Sequence, residues 1–69
     1  MKLAIVGVTG LVGGEIMEVL NEFNFAIETF IPVASERSVG KQILFRDHEH
    51  TIVGIDEAVS MKPDIAIFS

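Results

Sequence analysis

The strongest indication of a binding site in the sequence is a set of three regularly spaced glycines, Gly7, Gly10 and Gly13, within the segment GVTGLVG. Between a strand and a helix, the first glycine permits a tight turn and the second lets the backbone approach a pyrophosphate. The third allows the helix to pack closely on the strand. The free N–H groups and positive dipole end of the helix would then face the phosphates. This TGxxG-like pattern predicts a dinucleotide site, and a glycine turn that only permits tight packing is the alternative.

A second candidate segment is Ser35-Glu36-Arg37-Ser38, which follows the second predicted strand. In a dinucleotide-binding fold this position faces the adenosine ribose. An acidic residue there favours NAD through the ribose hydroxyls, whereas an arginine suits the 2′-phosphate of NADP. We favour Arg37 as the phosphate ligand, with the hydroxyls of Ser35 and Ser38 as further donors and Glu36 turned to solvent. A solvated polar loop without a ligand is the alternative.

The remaining polar residues do not assemble into a catalytic or metal site. His48 and His50 would share a face where the chain is extended, since alternate strand residues do so. No third ligand is visible beside them, and a turn between strands is usually exposed, so we expect no metal. The sequence contains no cysteine. Neither a nucleophile nor a general base with its partners can be assembled, so we expect no catalytic residue among these 69 positions.

Hydrophobic periodicity places the glycine segment between a strand and a helix. The pattern predicts strands at 3–6, 26–34 and 64–68, a helix at 11–23, a hairpin pairing 43–45 with 50–53, and a brief helix from position 56 to 61. We expect Pro32 to interrupt the second strand because it cannot donate to the ladder. We also expect Asp56 to cap the brief helix.

The alternation of strands and helices predicts an α/β fold with a Rossmann-like, doubly wound parallel sheet. About half of the residues are hydrophobic (49%), a high fraction for a small domain that must be polar outside. The last apolar run stops at Ser69 with no following helix. We therefore expect residues 1–69 to be only the N-terminal part of a dinucleotide-binding domain, with any catalytic and dimerisation domain outside them.

The charge balance argues against two classes of partner. Five lysines and arginines stand against ten acidic residues, giving a net charge of −5, and no basic residues cluster. Nucleic-acid binding and attraction to anionic membranes both need such clusters. No apolar run approaches the roughly 20 residues of a membrane span. No signal-peptide cleavage site follows the first apolar run, so we expect a cytoplasmic protein.

Residues 2–13, Phe25, 32–41 and 64–69 together resemble the N-terminal part of aspartate-β-semialdehyde dehydrogenase. The glycine segment is common to many NADP-binding folds, but its combination with Ala34-Ser35-x-Arg37-Ser38-x-Gly40-Lys41 is much more specific. The resemblance implies NADPH-dependent reductive dephosphorylation of L-aspartyl-4-phosphate to aspartate semialdehyde. This step leads to lysine, threonine, methionine and diaminopimelate. The resemblance also implies a homodimer.

The resemblance further assigns roles to individual residues. It implies that the pyrophosphate is held by Gly7, Thr9, Gly10, Leu11 and Val12, and the 2′-phosphate by Ser35, Arg37 and Ser38. The family's acyl-forming cysteine and acid/base histidine would lie downstream of Ser69. Two other functions remain open: N-acetyl-γ-glutamyl-phosphate reductase, which shares the fold and the acyl-phosphate chemistry, and a non-catalytic NADP-sensing module.

Overall fold

A computed structural model describes all residues, 1–69, as two sheets and two helices. The elements are β1 (Lys2–Val6), α1 (Leu11–Glu22), β2 (Thr29–Val33), β3 (Gln42–Phe45), β4 (His48–Thr51), α2 (Ile55–Ser60) and β5 (Ile65–Phe68). The main sheet is parallel, with the strand order β2-β1-β5, and β3 and β4 form a separate antiparallel hairpin. Neither helix is both long and apolar enough to cross a membrane.

The central strand β1 is buried on both faces, which explains its unbroken apolar run. On one face, Leu3 and Ile5 pack in a cluster that includes Leu20 of α1. On the other face, Ala4 packs in a separate cluster with Ala58 of α2. Helices therefore cover both faces of the sheet, and the predicted α/β, Rossmann-like arrangement is confirmed for this part of the fold.

The expected break at Pro32 is wrong. β2 begins later than predicted, at Thr29, and then runs through Pro32 in register with Ile5 of β1. The Pro32 carbonyl accepts a hydrogen bond from the Val53 N–H (2.9 Å), on the side of the strand away from β1. Since the nitrogen and carbonyl of one residue point the same way in a strand, the missing N–H faces that outer edge. Pro32 therefore removes no hydrogen bond between β2 and β1.

The predicted hairpin is present, but its second strand runs from His48 to Thr51 instead of over 50–53. The turn therefore contains only Arg46 and Asp47. Their φ values of 51° and 66° are the left-handed angles that a type I′ turn requires. The Arg46 guanidinium reaches back to α1 and donates to the carbonyls of Leu20 (2.9 Å) and Phe23 (3.2 Å). α1 has no basic residue in its own last turn, so the hairpin supplies the donors for its carboxyl end.

The predicted cap of the brief helix is also wrong. α2 begins at Ile55, and Gly54 is its N-cap, with an extended backbone and no side-chain cap. Asp56 instead lies inside the first turn beside Glu57. At this position the Asp56 carboxylate interacts favourably with the positive end of the helix dipole, but it does not accept the capping hydrogen bond.

Candidate functional site

Two adjoining clefts open at the carboxyl ends of the three parallel strands. The smaller cleft, about 440 Å³, is lined by Gly7, Thr9, Gly10, Leu11, Val12, Ala34, Ser35 and Ser69. The larger, about 920 Å³, extends from Gly7, Ala34 and Ser35 to the start of α2. In the strand order β2-β1-β5, the chain passes from β1 to β2 on one side, while β5 is added on the other side of β1. The carboxyl edge beside β1 is therefore the topological switch point of the sheet. Parallel α/β sheets bind ligands there.

Gly7 makes the turn that leads out of β1. Its φ of +84° lies in the left-handed region, which glycine adopts readily and other residues do not. The N–H groups of Gly7 and Val8 both donate to the Val33 carbonyl of β2, at 2.9 and 3.1 Å. The Gly10 N–H then donates to the Gly7 carbonyl at 3.1 Å and closes the turn. The segment is therefore held to the sheet at its start.

The other two glycines differ in what surrounds them. A β-carbon on Gly13 would lie 2.5 Å from the Gly7 carbonyl oxygen and 2.8 Å from that of Val8, so only glycine lets α1 pack this closely. A β-carbon on Gly10 would meet nothing nearer than 3.4 Å. The packing role predicted for Gly13 is thus confirmed, whereas no neighbour within the protein requires glycine at position 10.

The start of α1 presents unused hydrogen-bond donors to the smaller cleft. Gly10 is the N-cap and provides no side-chain cap, and the backbone N–H groups of Leu11 and Val12 have no acceptor within the protein. The first turn also carries no acidic side chain. Free N–H groups at the positive end of a twelve-residue helix fit an anionic group. The open space at Gly10 allows such a group to approach the backbone, so the residues present fit a pyrophosphate.

The four polar residues after β2 are divided between the clefts and the surface. Ser35 lines both clefts, and Glu36, which is exposed as predicted, also lines the larger one. Arg37 and Ser38 line neither cleft. They lie in the turn that follows, where the Ser38 N–H donates to the Ser35 carbonyl at 2.9 Å. Arg37 is exposed and forms no ion pair. Its guanidinium therefore has no partner to release before it could meet a phosphate.

Sequence reasoning missed Ser69 as a component of the site. Its hydroxyl lies within hydrogen-bonding distance of the carbonyls of Val6 (3.0 Å) and Gly7 (2.9 Å), and its N–H donates to Val6 at 3.0 Å. The topology could have identified it, because the residue after β5 must lie at the same sheet edge as the residue after β1. The acidic start of α2 was also missed: Asp56 and Glu57 line the larger cleft.

The two histidines lie outside this site. His50 is half-buried and packs edge-on against Phe30, with the ring centroids 5.1 Å apart, while His48 is exposed. No group of three or more histidine and carboxylate side chains is placed to hold a metal ion.

Residues 2–69 match the family model described as the NAD-binding domain of semialdehyde dehydrogenase. The chain is 46% identical over its whole length to an aspartate-semialdehyde dehydrogenase of Legionella pneumophila. It is 44% identical over 99% of its length to one of Aquifex aeolicus. It spans only 20% of each of these curated relatives.

A solved structure supports the same relationship. The aspartate semialdehyde dehydrogenase II of Vibrio cholerae superimposes with a TM-score of 0.88 at 37% identity, covering 99% of this chain and 22% of that one. The names of these relatives favour the predicted resemblance over N-acetyl-γ-glutamyl-phosphate reductase and over a non-catalytic NADP-sensing module.

Proposed function

Because the chain belongs to the semialdehyde dehydrogenase family, through its NAD-binding domain, we propose that residues 1–69 are the N-terminal part of the cofactor domain of an aspartate-semialdehyde dehydrogenase. The observation that carries the proposal is the open start of α1 beside the Gly7 turn, at the carboxyl edge of the parallel sheet. The catalytic and dimerisation domain would be supplied by polypeptide outside these residues.

The proposed reaction converts L-aspartyl-4-phosphate, NADPH and a proton into L-aspartate 4-semialdehyde, inorganic phosphate and NADP⁺. NADPH, when bound, supplies the hydride that reduces the acyl group. This chain's contribution is to bind and orient the nucleotide. The N–H groups of Leu11 and Val12 would hold the pyrophosphate, while Gly7, Thr9 and Gly10 shape the surface on which it rests. No residue of the chain is proposed to take part in bond breaking.

We further propose that NADP is preferred to NAD, with Arg37 binding the 2′-phosphate and the hydroxyls of Ser35 and Ser38 assisting. Three features support this assignment. Arg37 is exposed, it forms no ion pair, and it lies two residues after Ser35, which lines both clefts. A guanidinium can bind phosphate through two parallel hydrogen bonds, which makes it well suited to this group. Glu36, which is exposed, would then remain turned to solvent and accept no hydrogen bond from the ribose.

The test is an activity assay of the protein as naturally expressed, run in the phosphate-dependent direction. Aspartate semialdehyde, phosphate and NADP⁺ should give NADPH, whereas N-acetylglutamate semialdehyde should give none. Product formation only from the N-acetylated substrate would identify the protein instead as an N-acetyl-γ-glutamyl-phosphate reductase. Nucleotide binding without turnover of either substrate would instead identify a sensing module.

The assembly, the location and the pathway complete the proposal. We expect a cytoplasmic homodimer that serves the synthesis of lysine, threonine, methionine and diaminopimelate, as the resemblance implies. Light scattering of the purified protein measures the dimer. A deletion strain that requires diaminopimelate, threonine and methionine for growth would place the enzyme in that pathway.

A further inference from the structure

Ser69 lies where the last strand of the parallel sheet meets the glycine turn. Its hydroxyl is 2.9 Å from the Gly7 carbonyl oxygen and 3.0 Å from that of Val6. Its N–H also donates to the Val6 carbonyl at 3.0 Å. β5 is therefore tied to the turn at its carboxyl end by a side chain as well as by the ladder.

The Gly7 carbonyl takes part both in closing the turn and in the packing of α1. The Gly10 N–H donates to it at 3.1 Å, and Gly13 packs so tightly on it that a β-carbon there would lie 2.5 Å away. The direction of this one carbonyl thus fixes both the turn and the distance of α1 from the sheet. Val33 of β2 holds the Gly7 N–H from one side, and Ser69 holds the carbonyl from the other.

We propose that Ser69 is a positioning residue for pyrophosphate binding: its hydroxyl fixes the Gly7 carbonyl and so aims the free N–H groups of Leu11 and Val12 into the cleft. The inference rests on the proposed nucleotide-binding function and adds a residue to it. Ser69 itself lines the same cleft, directly beside that carbonyl.

The experiment measures NADPH and adenosine 2′-monophosphate affinities for Ser69→Ala, Ser69→Thr and Ser60→Ala in the protein as naturally expressed. Ser60→Ala is the matched control, because it also removes one hydroxyl that donates to a carbonyl (Glu57, 2.7 Å), and it lies outside both clefts. Ser69→Ala should weaken NADPH binding about three- to tenfold, the worth of one net hydrogen bond. Adenosine 2′-monophosphate has no pyrophosphate, so its affinity should not change.

The remaining variants complete the test. Ser69→Thr keeps the hydroxyl and should restore NADPH affinity to within about twofold of the wild type, and Ser60→Ala should change neither affinity. Equal losses for both nucleotides, no loss for either, or failure of Ser69→Thr to restore binding would each overturn the positioning role. If the wild-type protein binds neither nucleotide, the proposed function itself fails, and the role of Ser69 fails with it.

Discussion

Gly13 and Gly14 are adjacent in α1, yet the same substitution should have opposite effects at the two positions. An alanine β-carbon at Gly14 would meet nothing within 4 Å. The exchange should therefore stabilise the fold by about 0.5–1 kcal/mol, since alanine loses less backbone entropy than glycine in a helix interior. Gly14→Ala is thus a control for the intrinsic helix propensity of the new residue.

At Gly13 the alanine β-carbon would lie 2.5 Å from the Gly7 carbonyl oxygen and 2.9 Å from the Val8 α-carbon. Ordinary contact begins at 3.4 Å, so α1 must move outward by about 0.9 Å, and the neighbours are backbone atoms that cannot rotate aside. Overpacking of this kind costs about 1–3 kcal/mol, which exceeds the propensity gain. Gly13→Ala should therefore be less stable than Gly14→Ala by about 1–3 kcal/mol, because the propensity gain is common to both variants and cancels.

Urea unfolding, followed by circular dichroism, measures both free energies in the protein as naturally expressed. The two variants should have similar m-values and different midpoints, because the change acts on the native packing and not on the surface exposed by unfolding. Equal midpoints for Gly13→Ala and Gly14→Ala would refute the argument that glycine at position 13 is required for close packing of the helix.

Three further predictions concern the nucleotide and the chain terminus. Arg37→Ala should weaken NADPH binding by about 1.5–3 kcal/mol, the worth of a charge-assisted hydrogen bond, and leave NADH binding unchanged; equal losses measured by titration calorimetry would contradict the 2′-phosphate role. Gly10→Val should abolish NADPH binding with an unchanged circular dichroism spectrum, because its β-carbon enters space that is open within the protein; retained affinity would remove this segment from the site. The N-terminal ammonium donates a hydrogen bond to Glu28 and lowers the pKa of that carboxyl. This ion pair should stabilise the fold slightly above the ordinary glutamate pKa, and the stabilisation should be lost as the pH falls through the lowered pKa of Glu28. If the melting temperature of a Glu28→Gln variant differs from that of the wild type by the same amount at neutral and acidic pH, the ion pair contributes nothing.

The parts of the fold that the sequence predicted are those set by local pattern. The apolar run of β1 and the glycine spacing each depend on residues close together in the chain, and both were interpreted correctly. Pro32 was misjudged because its effect depends on which side of the strand carries a neighbour, and that is a property of the sheet. Asp56 was misjudged because Gly54, two residues earlier, could also begin the helix.

The candidate site was predictable to the same extent. The residues that line the smaller cleft near the turn follow from the strand-turn-helix order alone. Ser69 directly follows β5 and lies more than 60 positions from Gly7 in sequence, so only the pairing of β5 with β1 brings the two residues together. The placement of Arg37 outside both clefts depends on the exact course of the 36–40 turn, which residue types do not fix.

The Arg46 guanidinium has a consequence for how the protein opens. It joins the tip of the β3–β4 hairpin to the carboxyl end of α1 by a hydrogen bond to the Leu20 carbonyl, and Leu20 precedes Arg46 by 26 positions in sequence. The last helical carbonyls lose their donors whenever the hairpin detaches, so the two segments should open as one cooperative unit. Amide protons near the end of α1 would then exchange with solvent at a rate set by the hairpin, instead of fraying independently as the end of an isolated helix does.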